Sequence, residues 1–61
     1  MNVSYMIKVR EVGKKQWAFL TRGGTNRLRI HAVRFATLEA AQKIIDDNAA
    51  DNPDWQWRIA Q

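Results

Sequence analysis

Sixty-one residues with a net charge of +4, no cysteine and one histidine make a single small domain, and they exclude a disulfide framework, a cysteine zinc site and a histidine-rich metal centre. A chain this short buries only about 60% of its unfolded surface, so its stability must come from dense packing of Tyr5, Trp17, Phe19, Phe35, Trp55 and Trp57 or from self-association as a homodimer. No apolar run approaches the roughly 20 residues of a membrane span, and residues 1–7 lack the basic start and long apolar stretch of a secretory leader, so the chain reads as cytoplasmic with no membrane partner.

In residues 3–9, Val3, Tyr5, Ile7 and Val9 alternate with Ser4, Met6 and Lys8, and Arg10 continues the second set. A period of two built on β-branched and aromatic residues predicts a strand with one buried face. Gly13-Lys14-Lys15 interrupts it, and alternation resumes over residues 16–21, with Trp17 and Phe19 set against Ala18 and Leu20. The two segments read as a hairpin. Arg22-Gly23-Gly24-Thr25-Asn26 is a second turn signal, because Gly and Asn tolerate the backbone of tight turns. Residues 27–32 alternate again, Leu28, Ile30 and Ala32 against Arg27, Arg29 and His31. They are read as a third short strand, with an extended arm as the alternative.

Thr37 has the side chain of a helix N-cap, and Glu39 suits the positive end of the helix that follows. From Leu38, the positions of Ala41, Ile44 and Ile45 have helical spacing, with Ala40 beside them. Phe35, just before the cap, is placed to staple against Ala40 or Ala41. The helix ends in Asn48-Ala49-Ala50-Asp51-Asn52-Pro53-Asp54, where Pro53 cannot continue it. Asp46 and Asp47 oppose the dipole at that end. A last strand over residues 55–60 sets Trp55, Trp57 and Ile59 against Gln56, Arg58 and Ala60.

The expected fold is therefore α+β in the order β-β-(β)-α-β: a three- to four-stranded antiparallel sheet with one helix packed on one face. The helix is expected over Tyr5, Ile7, Val9, Trp17, Phe19, Trp57 and Ile59. The other face then carries Met6, Lys8, Arg10, Ala18, Leu20, Gln56 and Arg58.

The net charge conceals a split. Residues 1–38 hold Lys8, Arg10, Lys14, Lys15, Arg22, Arg27, Arg29 and Arg34 against Glu11 alone, whereas residues 39–61 hold Lys43 and Arg58 against Glu39, Asp46, Asp47, Asp51 and Asp54. A basic patch of this kind is the electrostatic footprint of a polyanion binder. Two surfaces concentrate it. One is the second sheet face with Lys8, Arg10 and Arg58, whose alternative reading is an ordinary solvent face where long stems cover apolar surface. The other is the turn carrying Arg22, Arg27 and Arg29 around Gly, Thr and Asn, which suits backbone or groove contact. It lacks the Gly-Lys-Ser/Thr and the following helix of a phosphate-binding loop. Trp55-Gln56-Trp57-Arg58 places aromatics next to arginine, but at strand spacing both indoles fall on the helix side and read as core or core edge, with Trp55, beside Asp54 at the strand start, the more exposed of the two. The acidic residues read as a solvated helix face, and Asp51-Asn52-Pro53-Asp54 does not match a calcium loop. Ser4 has no His at a readable spacing, and His31 stands alone among arginines. No catalytic residue, cofactor site or metal site is read.

Ala32-Val33-Arg34-Phe35-Ala36-Thr37-Leu38-Glu39-Ala40-Ala41, after Trp17-Ala18-Phe19-Leu20-Thr21, resembles small uncharacterised proteins of phages and mobile elements, in which an Ala-x-x-Phe-x-Ser/Thr-x-Glu-x-Ala pattern opens the only helix. That resemblance implies a host-takeover, anti-defence or regulatory role. Three antiparallel strands followed by a helix are also similar to the DNA-binding arm domains of tyrosine integrases and to the plant AP2 type. By that similarity Arg10, Arg22, Arg27 and Arg29 would contact DNA, and the extra strand over residues 55–60 departs from the pattern. The expectation is a non-catalytic protein that binds nucleic acid, DNA or RNA, through Lys8, Arg10, Arg22, Arg27, Arg29 and Arg58. The alternative is a protein-interaction module, as a monomer or a homodimer, that inhibits or adapts a larger host protein, with its basic surface reaching an acidic surface of that protein.

Overall fold

A computed structural model describes residues 3–61; the first two residues of the segment read for a leader lie outside them. Four strands and one helix follow in the order β1 (Met6–Glu11), β2 (Ala18–Thr21), β3 (Gly24–Asn26), a 3-10 turn (Arg29–His31), α1 (Leu38–Ala49) and β4 (Trp55–Ala60). All pairings are antiparallel, and the sheet order is β3-β2-β1-β4. This is the expected α+β architecture, with β1 and β4 zipped over six residue pairs from Met6–Ala60 to Glu11–Trp55.

The core lies between α1 and the β1–β4 half of the sheet. Ile7, Val9 and Ala41 are buried, and Tyr5, Ala18, Leu20, Phe35, Ile44, Ile45, Trp57 and Ile59 pack around them. Ala41 is the position where a small side chain lets the helix approach the strands. Thr37 caps α1 as its sequence implies, its Oγ1 accepting from the Ala40 amide at 3.1 Å. Thr37→Ala leaves that amide without a partner and should cost about 1 kcal/mol. A thermal melt should then shift down by roughly 4–8 °C, as expected for a domain of this size. At the other end no cation complements the dipole. Asparagine side chains add donors there: Asn48 Nδ2 donates to the Ile44 carbonyl at 2.7 Å and Asn52 Nδ2 to the Asn48 carbonyl at 2.8 Å, the latter shared with the Asp51 amide.

Three expectations are corrected. First, residues 27–32 are not a strand. The third strand is Gly24–Asn26, inside the segment read as a turn, and the hairpin turn shrinks to Arg22-Gly23. Asn26 Oδ1 then accepts from the Leu28 amide at 2.7 Å, a local side-chain bond that diverts the backbone from the ladder. The chain enters the 3-10 turn instead, with His31 N donating to the Leu28 carbonyl and Ala32 N to that of Arg29.

Second, β2 presents the opposite face. Val9 pairs with Ala18 and Lys8 with Phe19, so Ala18 and Leu20 lie on the helix side while Trp17 and Phe19 lie with Lys8 and Arg10. Every position from Trp17 to Leu20 is apolar, so alternation alone fits either parity, and a shift of one residue exchanges the faces.

Third, Met6 is 1% exposed, although its parity places it on the face away from the helix. Residues 28–35 cross that end of the sheet. Val33 N donates to the Leu20 carbonyl at 3.0 Å, and Phe35 and Tyr5 exchange both backbone bonds at 2.8 and 2.9 Å. Arg29 Nη2 reaches the Gln61 carbonyl at 2.6 Å, beyond the end of β4. Met6 is thus an interior residue of this chain and not part of an exposed surface.

Candidate nucleic-acid interface

Strand register arranges the open face in rows. Lys8 stands opposite Arg58 on one side and Phe19 on the other, and Phe19 stands opposite Asn26. Arg58, Lys8, Phe19 and Asn26 therefore form one line across all four strands, about 14 Å long at the usual strand spacing. The next row holds Gln56 opposite Arg10, with Trp17 just before β2.

The indole of Trp17 gathers the cations. Arg10 Cζ lies 4.5 Å from its ring centroid, Arg58 Cζ 5.0 Å and Lys8 Nζ 5.8 Å. Because β4 is two strands away from β2, the ring must extend over β1 to meet Arg58. Each contact is within cation–π range and contributes about 0.5–1 kcal/mol at an exposed site. That attraction offsets the repulsion of three like charges but leaves their sum in place. Gln56 orients the strongest donor: its Oε1 accepts from Arg10 Nε at 2.9 Å and also from Nη2. The other N–H groups of the Arg10 fork remain for an oxyanion.

The strands place no carboxylate on this face. Glu11 falls on the helix side with Val9, opposite Trp55, while Glu39, Asp46 and Asp47 lie on α1, and Asp51 and Asp54 lie in the turns before β4. The open face thus holds three cations within reach of one ring and no opposing charge in its strands. Its chemistry is that of an oxyanion site beside an aromatic surface.

The six residues expected to bind nucleic acid do not act as one group. Lys8, Arg10 and Arg58 converge. Arg22 is exposed in the tight turn at the end of the β2–β3 hairpin, and Arg29 is tied to the Gln61 carbonyl. Arg27 sits on the helix side, where it lines an open groove of about 530 Å³ with Lys14, Lys15, Glu11 and Trp55. Sequence reasoning missed Trp17 and Phe19 as members of the open face. The available signal was bulk: Trp57, Ile59, Ile7 and Val9 already fill the helix side, leaving room there for Ala18 more readily than for a second indole.

Trp55 is 38% exposed at the start of β4, while Trp57 packs against the core with its indole N–H buried and unpartnered among the described residues. Among those residues, no cluster of three His, Cys, Asp or Glu side chains is positioned to hold a metal, and no helix is long and apolar enough to cross a membrane. Comparison with known proteins gives no match for this chain among family models, curated protein sequences or solved structures.

Proposed function

We propose that this chain is a non-catalytic nucleic-acid-binding protein that holds the phosphate backbone on the open face of its sheet. One observation carries the reading: Lys8, Arg10 and Arg58 converge on Trp17, on a face whose strands supply no carboxylate. Backbone phosphates carry the complementary charge at regular spacing, and neutralising them releases counterions.

Three phosphate contacts give a slope of about −2 to −3 in a plot of log affinity against log salt. Between about 50 and 200 mM salt the affinity should therefore fall roughly 20- to 40-fold. Fluorescence anisotropy with labelled DNA and RNA oligonucleotides measures this directly. Absence of binding to any of them at the low-salt end contradicts the proposal.

A second reading, docking on an acidic protein surface, is favoured by the helix side. There the groove with Lys14, Lys15 and Arg27 adjoins an apolar hollow lined by Val9, Leu20, Trp55 and Trp57. Charge and exposed aromatic surface together are what a protein partner uses.

A further inference from the structure

We infer that the open face takes unpaired nucleotides, with phosphate on Lys8, Arg10 and Arg58 and a base stacked on Phe19; the inference rests on the nucleic-acid reading and gives it a substrate class. The row Arg58–Lys8–Phe19–Asn26 is ordered by chemistry: two cations, then an aromatic ring, then an amide. Phe19 lies one strand spacing, about 4.8 Å, from Lys8. A base whose phosphate sits on the cations therefore reaches the ring without a long excursion of the chain.

Phenylalanine has no hydrogen-bonding group. What it offers a nucleotide is its π-face, and base faces are accessible only where the strand is unpaired, because in a duplex they are covered by their neighbours and only edges show in the grooves. The indole of Trp17 is engaged by three cations, so stacking passes to Phe19, which is half-buried and fixed between β1 and β3. Asn26 completes the row. Its Oδ1 accepts from the Leu28 amide at 2.7 Å, which orients the side chain and leaves Nδ2 as the donor toward an acceptor on the base edge.

The test compares fluorescein-labelled single strands of about 12 nucleotides, a length within the usual site-size range, with the duplex of the same sequence. Wild-type protein should bind the single strand at least about tenfold more tightly. Phe19→Leu retains apolar packing but removes the π-face. It should weaken single-strand binding by roughly tenfold, in line with the loss of one base stack, while duplex binding, salt slope and thermal midpoint stay near wild type. Phe19→Tyr should restore the single-strand affinity. Equal or tighter binding of the duplex, or a Phe19→Leu protein that binds single strands like wild type, overturns the inference. In that event the nucleic-acid reading still stands if the salt slope is present for both forms. If neither form binds at low salt, both readings fall.

Discussion

Replacing Lys8, Arg10 and Arg58 together with glutamine should abolish most salt-dependent nucleic-acid binding. A charge-assisted hydrogen bond contributes about 1.5 kcal/mol or more, close to tenfold in affinity. Three such losses shared across one coupled site should lower affinity at low salt by at least about a hundredfold. The log–log salt slope should move toward zero, since each removed phosphate contact reduces it by about 1. The fold should survive, because none of the three is among the buried residues of the core. The same change at Arg22, which lines a separate hollow with His31 and Arg34, should produce a uniform and much smaller loss. Anisotropy titrations at several salt concentrations, with circular dichroism to verify folding, separate the two cases. A triple variant that keeps the wild-type slope would move the phosphate contacts elsewhere on the molecule.

Ile7→Ala should remove about half of the domain's folding free energy. A chain of 61 residues at the usual stability per residue has roughly 3–9 kcal/mol to lose. Ile7 is fully buried, and only Met6, Val9 and Ala41 join it as buried apolar side chains among the described residues. Truncating a buried isoleucine to alanine costs about 2–5 kcal/mol, because the cavity collapses only in part. Ile7→Val should cost about 0.5–1.5 kcal/mol and retain cooperative unfolding. Urea titrations of the two variants measure the difference. A small effect of Ile7→Ala would mean that the half-buried aromatics, and not the Ile7–Val9–Ala41 centre, hold the domain together.

The features legible in the sequence were those in which one residue determines one local geometry. Thr37 capped the helix because its hydroxyl can reach a free amide, and Pro53 marked the region past its end. Strand β4 was readable because Trp55, Trp57 and Ile59 alternate with polar residues, giving its two faces different chemistry. β2 was not readable in the same way. Trp17, Ala18, Phe19 and Leu20 are apolar on both parities, and their orientation follows from pairing with β1 across a loop whose turn uses Gly13 at φ 89°. A repeat of two says nothing about that offset. Residues 27–32 misled for the opposite reason: their alternation is real, but Leu28 and Ile30 are 58% and 78% exposed, so it marks no buried face.

The candidate site shows the same division. The cations Lys8, Arg10 and Arg58 were visible because β1 and β4 were read in the correct parity. The aromatic centre that gathers them was assigned to the core, and the reversal of β2 returns Trp17 and Phe19 to the basic face. The surface is therefore not merely positive. It pairs charge with two aromatic rings, whereas the Arg-rich turn, which looked equally basic, splits into Arg22, Arg27 and Arg29 at three separate places.

A two-dimensional ¹H–¹⁵N spectrum recorded through a titration with a short single-stranded oligonucleotide locates the contact residue by residue. The open-face account predicts that the largest shifts fall on the amides of Lys8, Arg10, Phe19 and Arg58, with α1 and the Lys14–Lys15–Arg27 groove nearly unmoved. Shifts concentrated in that groove or along the helix, with the open face silent, would contradict it.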